Sequence, residues 1–196
     1  MNAATLLIDI QSYWHPGTGR GSGFHLDAVT HAGPDGLPRL PGRTLKGLLR
    51  DAVYRAEQWG WKEIPAGTTE ALFGPLGRAG QPTRPGLLRV SDATLPDEVA
   101  AHLAIDAGKP LISGLYREHF GTAIDLATGV AAGRSLRGME VVIPLTLTAP
   151  IGEIAGVLAV PDWRNRLAAV FPLVAAVGAH RARGFGRAHL RWKEEG

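Results

Sequence analysis

Residues 36–56 read GLPRLPGRTLKGLLRDAVYRA. Gly36, Pro38, Pro41 and Gly42 punctuate the start and leave no room for regular structure there. A helix is expected at once, with the Thr44 hydroxyl placed to cap free backbone N–H groups. Leu45, Leu48, Leu49, Ala52, Val53 and Ala56 then recur at helical spacing and define one apolar face. Asp51 and Arg55 form an i,i+4 pair on the exposed side. Arg43, Lys46 and Arg50 crowd the positive end of the helix dipole, where acidic residues are usual. Such a helix start is expected to hold an anion.

Outward from this stretch, residues 5–13 (TLLIDIQSY) read as a first strand. Residues 15–23 (HPGTGRGSG) read as a turn, since they lack the Gly-Lys-Ser/Thr ending of a phosphate loop. Residues 24–30 alternate as a strand, with His25, Asp27 and Val29 on one face. An irregular connection is expected over 62–86, with one helical turn near 69–72, before a strand at 87–95. A short helix over 96–104, capped by Asp97, comes next. A polar, Gly-rich excursion falls at about 108–138. Strands are expected at 140–148 and 153–160, separated by a turn at 149–152, with Pro144 marking an edge or bulged strand. A second long helix should start at Asp162, kink at Pro172 and end at Gly178. Gly184, Phe185 and Gly186 turn the chain into a last strand at 188–192.

The order β-α-β-β-α-β describes an α+β, ferredoxin-like (RRM-like) domain. An antiparallel sheet would carry two main helices and loop insertions, in one domain over residues 1–196. A chain of 196 residues with 45% hydrophobic content can bury a core and is not disordered. Cysteine is absent, which excludes disulfide scaffolds and thiolate metal sites. No apolar run is long enough for a membrane span, and the start carries no signal-peptide pattern, so a cytoplasmic protein is expected. Net charge is only +3, but residues 178–193 hold Arg181, Arg183, Arg187, Arg191 and Lys193 with no acid.

Gly36-Leu37-Pro38 followed by residues 40–50 (LPGRTLKGLLR) resembles the signature of the RAMP superfamily. These are the ferredoxin-like RNA-binding subunits of class 1 CRISPR effector complexes. The family usually has Ser-Ser where this chain has Arg43-Thr44, a change that keeps a hydroxyl. Residues 178–187 (GAHRARGFGR) are similar to the family's C-terminal glycine-rich loop, and 114–137 to its protruding hairpin, which closes over bound RNA. The resemblance implies RNA-backbone binding by Arg43, Lys46, Arg50, His180, Arg181, Arg183, Gly184, Phe185, Gly186 and Arg187. Closely spaced glycines admit a ligand, arginines meet phosphate oxygens, and Phe185 could stack on a base or pack inward. A plain helix-to-strand turn with solvated arginines is the competing account.

Implied partners are a CRISPR guide RNA, other Cas subunits or further copies of the chain, and a target nucleic acid reached through the guide. No cofactor is implied, and a divalent metal only if target RNA is cleaved. In the family's target-cleaving subunits an aspartate precedes the Gly-Leu-Pro turn; its spacing falls on Leu26, one residue from Asp27. His15, His25 and His31 invite a guide-processing endoribonuclease with a histidine acid or base. Processing enzymes of the superfamily do not usually carry the LPGRTLKGLLR motif. Asp27 and His25 therefore remain the catalytic candidates, no metal set is expected, and a non-catalytic subunit is the favoured expectation. A ferredoxin-like interaction domain without RNA binding is the third alternative.

Overall fold

The computed structural model describes residues 3–19, 21, 26–77 and 84–194. Its main sheet joins β1 (Ala3–Ile10), β2 (Leu88–Val90), β5 (Leu145–Glu153) and β6 (Ala188–Trp192) in the spatial order β2-β5-β1-β6. All three pairings are antiparallel. With α1 (Gly42–Gln58) after β1 and α4 (Trp163–Val170) after β5, this is the ferredoxin-like arrangement expected from the sequence.

Strand alternation explains the packing. Leu6, Ile8 and Ile10 of β1 and Leu147, Ala149 and Ile151 of β5 are buried, while Asp9 and Pro150 between them are exposed. Leu45, Leu49, Ala52, Val53 and Ala56 of α1 join the same core, as do Trp163, Leu167 and Val170 of α4. Each buried Leu, Ile or Val among them contributes about 1.5–3 kcal/mol, and each alanine less.

Several expected elements differ in extent. Residues 145–153 form one unbroken strand, so the turn expected at 149–152 does not form and 154–160 is not a strand. Pro150 is tolerated because its carbonyl meets Ser91 N–H at 3.0 Å, one residue beyond the end of β2. Its missing N–H therefore falls where that ladder stops. Pro144 lies between β4 (Arg137–Val142) and β5, where the chain passes from one sheet to the other. The strand expected at 24–30 appears in its described part, 26–30, only as isolated bridges, such as Ala28 with Met139. The strand expected over 87–95 is reduced to β2, with Ala93 and Thr94 making single bridges to Leu40 and Thr148.

The second helix is short. α4 stops at Val170, and Phe171–Leu173 is a 3-10 turn around Pro172, which cannot donate a helical hydrogen bond. Asp162 precedes α4 in a left-handed conformation and makes no side-chain cap. Asp97 likewise opens α3 (Asp97–Ala104) as its first residue rather than its cap, and its charge suits the dipole there.

Two excursions leave the core. α2 (Thr68–Phe73) packs on α1, and the Glu57 carboxylate of α1 accepts Gly67 N–H and Thr69 N–H, each at 2.8 Å. Burial pushes the Glu57 carboxyl upward, but the Thr69 hydroxyl, which donates to it at 2.6 Å, and these two N–H groups together hold it below its ordinary value. β3 (Tyr116–Gly121) and β4 form a separate two-stranded hairpin. Beyond them Asp125 closes a tight turn by accepting Ala127 N–H at 2.8 Å, and Leu126 there is 98% exposed.

Candidate nucleic-acid interface

The start of α1 is built differently from the expectation. Gly42, not Thr44, opens the helix, and its N–H donates to the Asp92 carboxylate at 2.7 Å. Thr44 and Leu45 both donate to Pro41 O, at 2.9 and 3.0 Å. Thr44 makes no capping bond. The negative charge missing from the first turn is thus supplied by a residue fifty positions away. Arg43 is exposed and Arg50 half-buried. Lys46 turns to the sheet and donates to Leu88 O at 3.1 Å. Burial first, and the charge of Arg50 second, hold its ammonium below the ordinary lysine value.

The glycine-rich loop is pinned to the segment that follows β1. Gly186 N–H donates to Tyr13 O at 2.8 Å, Ala179 N–H to His15 O at 2.8 Å, and Gln11 N–H to Arg187 O at 2.7 Å. One hydroxyl bridges both ends of the turn: Ser12 Oγ donates to Gly184 O at 3.0 Å and accepts Arg187 N–H at 2.9 Å. The chain passes through left-handed conformations at Gly178, His180, Gly184 and Gly186. With its backbone so engaged, the loop presents His180, Arg181, Arg183, Gly184 and Arg187 outward, all exposed. Phe185 is half-buried, its ring edge-on to His119 of β3 at 5.1 Å and to His180 at 6.3 Å. The hairpin and the loop therefore meet at one aromatic contact.

The two predicted basic groups do not converge on one flank of α1. At about 100° per residue, Arg43, Lys46 and Arg50 fall on one side of the buried face. Leu48, Asp51 and Arg55 fall on the other, roughly 150° away, and there they line a groove with Arg181. Sequence periodicity contains this split, but only the packing reveals which flank the loop approaches.

Asp27 Oδ2 accepts Gly138 N–H at 2.9 Å, and Asp27 N–H donates to Gly138 O at 2.8 Å. Its carboxylate thereby clasps β4 while remaining exposed. His25 lies outside the described residues. His31 is half-buried, and its Nδ1 has no hydrogen-bond partner among the described residues. No group of three or more His, Asp or Glu able to hold a metal occurs among the described residues.

His15 is 3% exposed, and its Nδ1 lies 2.7 Å from Glu140 O, so Nδ1 carries the proton and donates. Desolvation is the largest influence and lowers its pKa from the ordinary 6.5, against the opposing bond to Glu140. The unfolded chain then binds the proton more readily than the folded one. The stability from neutral His15 is complete above about pH 6.5 and is lost as pH falls below it toward the depressed folded value. Thermal midpoints measured from pH 8 to 5 should fall more steeply below pH 6.5 for the native chain than for His15→Asn; parallel curves would contradict this assignment.

Ser12, Asp92 and His119 carry roles the sequence reading missed. The one available signal was the absence of an acid from the first turn of α1. It read as a place for a bound anion, and the Asp92 carboxylate stands there.

A family model described as the RAMP superfamily matches residues 7–189. No curated protein matches the chain. Among solved structures, a chain of the "Type III-B Cmr-beta bound to cognate target RNA" superposes with a TM-score of 0.67 at 12% identity. That match covers 98% of this chain and 97% of the other. A chain of the apo Type III-B Cmr-beta gives 0.64 at 13% identity, covering 98% of each. At these identities the likeness is one of fold.

Proposed function

The chain belongs to the RAMP superfamily, and from that premise we propose that it is a guide-RNA-binding structural subunit of a class 1 CRISPR ribonucleoprotein effector. It acts as one RAMP domain beside other Cas subunits or further copies of itself, and meets target nucleic acid through the guide. The similarity in fold to chains of Type III-B Cmr-beta complexes, one of them bound to target RNA, supports this reading.

The observation that carries it is the loop of residues 178–187. Its two ends, Ala179 and residues 184–187, are tied to residues 11–15 while Arg181, Arg183 and Arg187 face solvent. A rigid backbone bearing outward guanidinium groups is suited to phosphate oxygens, and Gly184 has open space above it that lets a strand come close. Arg43 and Arg50 extend the basic surface on the far flank of α1. Phosphate contacts of this kind position RNA without reading it; sequence selection is left to guide pairing. The subunit needs no cofactor for this task. Cleavage through Asp27 is the less favoured reading, because that carboxylate already holds Gly138.

The test is binding of a labelled repeat-containing RNA across a salt series, with and without Mg2+. Combined reversal of Arg181, Arg183 and Arg187 to Glu should weaken binding at least about a hundredfold at low salt and flatten the log K against log salt slope by about two units. RNA recovered intact supports a scaffold. A defined, Mg2+-dependent cut abolished by Asp27→Ala would replace the scaffold with a nuclease.

A further inference from the structure

Of the five tryptophans, Trp59 alone is largely exposed, at 59%; the others are buried or half-buried. It caps the C-terminal end of α1 and stands on the same stripe as Leu48, Asp51 and Arg55. Two side chains flank its ring. The Arg55 guanidinium lies 6.0 Å from its centre, and the Trp61 ring lies 6.3 Å away at a tilt of 44°. Arg55 is itself fixed, with Nε 3.0 Å from Asp51 Oδ2 and a terminal nitrogen donating to Leu173 O at 2.8 Å.

Leu48, Asp51 and Arg55 of that stripe form one wall of a groove of about 390 Å3, and Trp59 stands one helical turn beyond Arg55, past the groove's end. The opposite wall is residues 173–176, and Arg181 of the glycine-rich loop lines it too. Asp51 is paired with Arg55, so Arg181 leaves the lining net positive. On the far wall the N–H groups of Ala175 and Ala176 donate to no backbone carbonyl among the described residues. From Leu48 to Trp59 the stripe runs roughly 16 Å.

We infer that this groove is a second subsite for single-stranded RNA, leading from the glycine-rich loop to Trp59, where a base stacks on the exposed indole. Arg181 and the two backbone N–H groups meet the phosphates between. A flat aromatic ring beside a fixed cation, with a net positive channel, is the chemistry of base stacking along a tracked backbone. A docking protein would instead call for a core depleted of charge, whereas Asp51, Arg55 and Arg181 line this groove beside the apolar residues 173–176. The inference rests on the RNA-binding reading above and adds a length requirement to it.

The experiment is anisotropy binding of labelled oligoadenylates from about 4 to 16 nucleotides. The full chain is compared with Trp59→Ala, Trp59→Phe and the triple arginine reversal, all checked for unchanged melting. The native chain should gain affinity in a step once the oligomer is long enough to reach Trp59. Trp59→Ala should remove the step, about tenfold on long oligomers with little change on short ones, and Trp59→Phe should restore most of it. Equal affinities of native chain and Trp59→Ala at every length, with binding still lost in the arginine variant, would overturn the subsite and leave the loop reading intact. No RNA binding by the native chain would overturn both.

Discussion

Gly186→Ala is expected to destabilise the protein by about 3–5 kcal/mol and to disorganise the basic loop. Gly186 is buried with φ at +69°, a conformation that L side chains rarely adopt. A Cβ there would also overlap the carbonyl oxygen of Val177, with the carbonyl carbon only 3.0 Å away. That carbonyl belongs to the residue whose N–H donates to Gly186 O at 2.8 Å, so it cannot swing aside without opening the loop. Gly184 is the internal control. Its φ is +85°, yet nothing lies within 4 Å of the Cβ position, so Gly184→Ala should cost only about 1–2 kcal/mol from backbone strain. Chemical denaturation of both variants decides the point. Equal losses would mean that the close approach at Gly186 has little energetic weight.

The second large effect separates two glycines of the same helix. Gly42→Ala should cost about 2–4 kcal/mol, because a Cβ would stand 2.5 Å from Val90 O and 2.7 Å from the Ser91 carbonyl carbon. Both neighbours are backbone at the end of β2. Relief would push α1 off the sheet and stretch the Gly42 bond to Asp92. Gly47→Ala, five residues along, should raise stability by about 0.5–1 kcal/mol. Gly47 is exposed in mid-helix with nothing within 4 Å of the added carbon, and alanine lowers the entropy of the unfolded chain. Thermal melts should therefore move in opposite directions for one and the same substitution. A melt lowered by both would mean that Gly47 also answers to a close approach.

Local patterns carried much of this protein. The face of α1 from Leu45 to Ala56 and the alternation of β1 arise from neighbours a few residues apart, so helix, strand and their order were legible in the chain itself. The family motifs at residues 36–50 and 178–187 were legible for a related reason: closely placed glycines mark backbone that must turn or touch something. What the chain could not reveal was what each glycine touches. Gly42 meets the end of β2, Gly178 meets His15 O and Gly184 meets nothing.

Long-range partners were likewise hidden. Asp92 caps α1 across fifty residues, Ser12 ties the glycine-rich loop from more than 170 residues away, and His119 meets Phe185 from another sheet. Pro150, read as a turn, sits inside β5 because β2 happens to end beside it. The Arg43 and Arg181 sides of α1, which read in the sequence as one basic surface, lie on opposite flanks. Periodicity records only a residue's angle on its own element. Capping bonds, ladder ends and the flank a loop approaches are set by how elements pack, and that was decided by the tertiary structure alone.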